Sequence, residues 1–125
     1  MLDVDVIGGG MPAAKVAEAC SLAAASAGIE DGHVAVEFVD AARIAALNGA
    51  HRGKDGPTDV LSFPVDEADA PLGPRELGDV VICPEHTQDV LEAVVHGVLH
   101  LTGMDHETDD GEMLVVQAEI MTWLR

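Results

Sequence analysis

Leu2, Val4 and Val6 alternate with Asp3 and Asp5, the two-residue period of a half-buried strand, and Gly8-Gly9-Gly10 ends it ahead of Pro12. From Pro12 to Ala27 the period lengthens. Val16, Ala19, Cys20 and Ala23 share one helical face, Pro12 suits the start of a helix, and Gly28 suits the residue beyond its end. Val34, Val36 and Phe38 restore alternation across 33–39, and Asp40 is placed to cap a helix that ends near Asn48-Gly49. A strand is predicted over 59–65, with Pro64 marking a sheet edge or a strand end, and another over 78–83 around the apolar run Val80-Val81-Ile82. A Pro- and acid-rich loop, 66–76, joins them. A helix is then predicted from Pro84 to Gly103 with Val90, Leu91, Val94, Val95, Val98, Leu99 and Leu101 as its apolar stripe. Met113, Val116, Ile120 and Leu124 give a last amphipathic helix over 112–124. The order therefore begins βαβα, which points to an α/β fold.

Composition narrows this picture. At 125 residues the chain has room for one domain, 1–125, and 48% hydrophobic residues supply its core. Asp and Glu number 23 against 6 Lys and Arg, a net charge of −17, which argues against electrostatic wrapping of nucleic acid. Phe38, Phe63 and Trp123 are the only aromatic rings of the Phe, Trp or Tyr type, too few for a base-stacking platform. No apolar run approaches the roughly 18 residues of a membrane span, and the N-terminus lacks the pattern of a signal peptide, so a soluble cytoplasmic protein without membrane contact is expected. Cys20 and Cys83 stand far apart and read as two reduced, buried thiols.

The chemistry concentrates in His96-Gly97-Val98-Leu99-His100-Leu101-Thr102-Gly103-Met104-Asp105-His106, of outline HxxxHxxGxxH. Histidines four residues apart on a helix project from one face and can chelate one ion. Gly103 lets the chain leave the helix through a positive φ and turn back, bringing His106 to the same ion. Three imidazoles suit zinc, one ion per chain, with a fourth position left for water. A closed structural zinc site competes with this reading and needs a fourth ligand such as Asp105, Glu107 or a cysteine. The outline is similar to that of the metzincin peptidases, whose motif sets a glutamate after the first histidine as general base. Gly97 stands there instead, which demotes peptide or amide hydrolysis.

A second constellation lies upstream. Residues 41–54 hold Arg43, Arg52 and Lys54 and no acid, beside His51. Arg52 followed by Lys54, Asp55 and the run Pro57-Thr58-Asp59-Val60-Leu61-Ser62-Phe63-Pro64 forms a first block, Leu77-Gly78-Asp79-Val80-Val81-Ile82 a second, and the histidine motif with Gly97 a third. In these three blocks the chain resembles the YbeY family of bacterial endoribonucleases, which act in ribosomal RNA maturation and ribosome quality control. The resemblance implies a single α/β (α+β) domain with a small mixed sheet, packed helices and a zincin-like metal-bearing helix lining a cleft. It implies zinc on His96, His100 and His106, and Arg52 as the catalytic arginine that stabilises phosphoryl charge. Asp105 is then expected to orient a metal-bound histidine or cap the turn, and His51 to be a candidate proton carrier. Two departures stand out: the stretch from Cys83 to His96 is shorter than the family's helical lead-in, and Met104 replaces its usual tyrosine.

The implied function is cleavage of single-stranded ribosomal RNA, with the ribosome or ribosome-associated proteins as partners and no DNA. The alternatives are a zincin-like peptidase or amide hydrolase and a non-catalytic structural zinc protein associated with ribosomes. Charge is uneven along the chain. Residues 1–62 hold 9 acids and 4 bases, net −5, and residues 63–125 hold 14 acids and 2 bases, net −12. Weak non-specific RNA affinity follows, with RNA brought to the cleft by a partner.

Overall fold

The computed structural model describes residues 2–54, 56–65, 76–105 and 109–124. Four strands, β1 (Leu2–Ile7), β2 (Gly32–Phe38), β3 (Val60–Pro64) and β4 (Glu76–Ile82), form one sheet in the order β1-β2-β4-β3. β1 and β4 run parallel to β2, and β3 runs antiparallel to β4 at the edge, so the sheet is mixed. Among the described residues four α-helices accompany it: α1 (Ala13–Ser26), α2 (Ala41–Arg52), α3 (Val90–Leu101) and α4 (Glu112–Leu124). The expected α/β class, the edge position of the Pro64 strand and the last helix all appear in the structure.

The two-residue strand period divides the interior. Val80 and Ile82 enter the main core with Val34 and Val36, against Val16, Ala19 and Cys20 of α1 and Val94, Val95, Val98 and Leu99 of α3. Val81 and Cys83 face the other way and join Leu61 and Ile44 of α2 in a second, smaller core. The sheet thus carries α1, α3 and α4 on one face and α2 on the other. Both cysteines are free and buried, as expected, and burial pushes the Cys20 thiol up to about 12.

Two helix boundaries differ from the sequence reading, and the first of them moves two candidate site residues. α2 does not stop near Asn48-Gly49; it runs through His51 and Arg52 to a left-handed Gly53 at φ +65°. Its start is the expected one, with the Asp40 side chain accepting from Arg43 N at 2.8 Å. A single glycine inside a helix costs about 1 kcal/mol, which packing against the sheet outweighs, whereas Gly53 supplies the φ that a helix end needs. Arg52 and His51 therefore stand on the last helical turn rather than in a loop. The helix predicted from Pro84 is also divided. Pro84–His86 is a 3-10 turn, Thr87 is extended, and α3 begins only after Asp89, whose side chain accepts from Glu92 N at 3.1 Å. The 66–76 loop lies outside the described residues except for Glu76, which opens β4.

A three-strand clamp closes one end of the sheet. His33 on β2 reaches Asp5 of β1 through Nε2 at 2.8 Å and Glu76 of β4 through Nδ1 at 2.6 Å. The hydrogen bond with Asp5, assisted by Glu76, raises the His33 pKa against the lowering effect of burial. A raised folded pKa means stability that is complete below the unfolded value of about 6.5 and lost as pH climbs through the folded one. His33→Gln is accordingly expected to lower the urea midpoint more at about pH 6 than at about pH 9. An equal loss at both would show that the imidazolium charge contributes nothing.

Candidate metal centre and cleft

Gly97 explains how α3 comes to sit where it does. A Cβ at this position would lie 2.5 Å from Val80 Cγ1 and 3.3 Å from Ser62 Oγ, so only glycine lets the helix press onto β3 and β4. Ser62 uses the close approach, donating its hydroxyl hydrogen to the Gly97 carbonyl at 3.0 Å. Where the metzincin outline has a glutamate, this chain has a buried helix–sheet contact with no room for a carboxylate, and the peptidase alternative loses its base for a packing reason.

With Gly97 against the sheet, His96 and His100 share the adjoining flank of α3, which lines the cleft beside β3. Their rings meet edge to face with centroids 4.7 Å apart, and their Nε2 atoms lie 3.1 Å from each other. The other ring nitrogens are engaged: His96 Nδ1 with Gln117 Oε1 of α4 at 2.7 Å, and His100 Nδ1 with the Met104 carbonyl at 2.9 Å. A backbone carbonyl only accepts, so His100 Nδ1 carries the hydrogen and its Nε2 presents a lone pair. The donor set therefore fits a cation held between the two Nε2 atoms, the arrangement expected of a chelating His pair.

Gly103 makes the His100 contact possible. Its φ of +102° turns the chain at the end of α3, with Met104 N bonded to Leu99 O at 3.2 Å and Gly103 N to His100 O at 3.0 Å. These are the two bonds of a Schellman ending. They swing the Met104 carbonyl back under His100, so the predicted turn does occur, and it fastens a ligand-type imidazole as it reverses the chain. His106, the third histidine of the motif, lies outside the described residues. Among the described residues no group of three His, Cys, Asp or Glu side chains converges as a metal site.

The imidazole pair lies in a cleft of about 1470 Å³ whose lining also includes Arg52, His51, Asp105 and Gln117. Five of the six residues singled out from the sequence therefore face one cavity. Arg52 is exposed at the end of α2, and the His51 ring stands edge-on to Phe63 of β3 with centroids 4.9 Å apart. Sequence reasoning missed the contribution of α4. Gln117 follows Met113 by four residues, and that spacing was the available signal of a polar group on the inward-turned side of the helix. Gly78 of the second sequence block has a φ of +128°, and a Cβ there would collide with the Phe63 carbonyl, so its glycine reflects a close approach of β3 to β4.

Comparison with known proteins adds an independent line. A family model described as Endoribonuclease YbeY matches residues 12–125. The chain is similar to an Endoribonuclease YbeY of Rubrobacter xylanophilus, 41% identical over 117 residues, covering 89% of this chain and 84% of the relative. It is similar also to one of Azorhizobium caulinodans, 35% identical over 145 residues, covering 98% and 91%. Among solved structures, the solution structure of TM1509 from Thermotoga maritima matches with a TM-score of 0.59 and 29% identity, covering 99% of this chain and 89% of that one.

Proposed function

The chain belongs to the Endoribonuclease YbeY family, and from that premise we propose that it is a zinc-dependent endoribonuclease that cuts single-stranded segments of ribosomal RNA. The observation that carries the reading is the cleft itself, where two imidazoles with facing Nε2 atoms and the Arg52 guanidinium line one cavity. His96, His100 and His106 would hold the metal, which when bound supplies Lewis acidity toward a phosphodiester oxygen.

The remaining chemistry falls to the chain's own groups. Arg52 presents planar, fixed donors at the mouth of the cleft, and these match phosphate oxygens and the extra negative charge of the phosphoryl transition state. Its place on the last turn of α2, beyond which the chain turns at Gly53, holds the base of its side chain on a rigid element. His51, one residue earlier and leaning on Phe63, is the proton carrier of this reading, an imidazole that lines the same cleft as Arg52. Asp105, directly after the Met104 carbonyl that holds His100, supports the ligand set rather than touching RNA.

Net charge −17 leaves little general attraction for RNA outside this cleft. The substrate is therefore delivered by the ribosome or a ribosome-associated protein, in the cytoplasm. No described helix is long and apolar enough to cross a membrane. The deciding test incubates the zinc-loaded protein with structured RNA containing single-stranded loops and, in parallel, with a peptide library. RNA fragments with intact peptides are expected; cleavage of peptides alone overturns the proposal.

A further inference from the structure

We propose that Gln117 is a positioning residue that decides which nitrogen of His96 faces the cleft, and thereby sets the metal affinity of the site. The inference rests on the reading above that His96 and His100 hold the metal. The two imidazoles are secured differently. His100 Nδ1 meets a backbone carbonyl from its own turn, a partner that does not depend on the Met104 side chain. His96 Nδ1 meets a side chain 21 residues away on another helix, at 2.7 Å. One imidazole is thus oriented by local chain geometry and the other by the docking of α4.

The direction of this second bond matters chemically. With Gln117 Oε1 as acceptor, the His96 hydrogen resides on Nδ1, and the Nε2 lone pair is directed at the His100 Nε2 only 3.1 Å away. Two lone pairs at that distance repel each other, and a cation between them turns the repulsion into attraction, so this tautomer favours metal entry. Without the Gln117 oxygen, His96 would relieve the repulsion by moving its hydrogen to Nε2 and donating to His100, a self-satisfied pair that opposes metal entry. Gln117 excludes that alternative.

The amide is also a measured choice of partner. A carboxylate in its place would draw the Nδ1 hydrogen more strongly, make His96 a more basic ligand and tighten metal binding. A neutral amide orients the ring and adds no negative charge, leaving more of the positive charge of the metal available to a phosphodiester.

The test compares wild type, Gln117→Leu and Gln117→Glu by zinc competition with a chromophoric chelator and by nitrogen NMR of the imidazoles in the metal-free proteins at about pH 8.5, roughly two units above the reference imidazole value. Wild-type His96 is expected as the Nδ1-protonated form. Gln117→Leu should shift His96 toward the Nε2-protonated form and weaken zinc binding about 10- to 100-fold, with the His100 spectrum and thermal midpoint unchanged. Gln117→Glu should restore the Nδ1-protonated form and bind zinc at least as tightly as wild type. Wild-type tautomer and wild-type affinity in Gln117→Leu would overturn the proposal. Failure of the wild-type protein itself to bind zinc would instead overturn the metal reading, and the tautomer spectra would still decide the role of Gln117.

Discussion

His100→Ala is expected to abolish zinc binding and RNA cleavage together while leaving the fold intact. His100 is half-buried on the cleft side of α3, and the packing that secures the helix comes from Val94, Val95, Val98 and Leu99 on its other side, so the substitution leaves no cavity in the core. Outer partners of metal ligands are worth roughly 10- to 100-fold in affinity, and loss of a direct ligand should exceed that range. The facing Nε2 pair explains the size of the effect: with one ring gone, His96 loses the imidazole nitrogen that lies 3.1 Å from its own. Zinc content after dialysis and cleavage of a labelled RNA measure both effects. A variant that keeps stoichiometric zinc at wild-type affinity would show that the metal is bound elsewhere.

Arg52→Ala should separate chemistry from metal binding. The side chain is exposed and contributes no core contact, so zinc content and thermal midpoint should stay at wild-type values. Cleavage should fall about 10²- to 10³-fold, the usual consequence of removing one donor aimed at developing charge. Arg52→Lys should recover only part of the rate, because an ammonium lacks the planar pair of donors that spans two phosphate oxygens. Wild-type cleavage by Arg52→Ala would remove Arg52 from the mechanism. Salt offers a further distinction: with so few cations in the chain, the wild-type rate on free RNA should fall only shallowly as ionic strength rises.

Much of this architecture was legible before any coordinate. Alternation at Val34 and Val36, the run Val80 to Ile82 and the stripe from Val94 to Leu101 report directly on burial, since a residue period is a local property of an element. The same holds for Asp40 as a cap and for Gly103 as a turn, because capping and positive φ depend on a few adjacent residues. The two misplaced boundaries show the limit of local rules. Gly49 looked like a helix end and Pro84 like a helix start, but propensity at one residue yields to packing and to a better cap nearby, Gly53 in one case and Asp89 in the other.

The sequence by itself determined the helical register of His96 and His100, the return of the chain at Gly103, and the absence of a carboxylate at residue 97, because each follows from spacing along a single segment. Only the tertiary structure decided why that carboxylate is absent, through a glycine pressed on Val80. It also brought Arg52 from the end of α2 into the same cleft as α3, and Gln117 from α4 onto His96. Those relations join segments tens of residues apart, and they arise from which faces of the helices the sheet can bury, a choice that no local pattern encodes.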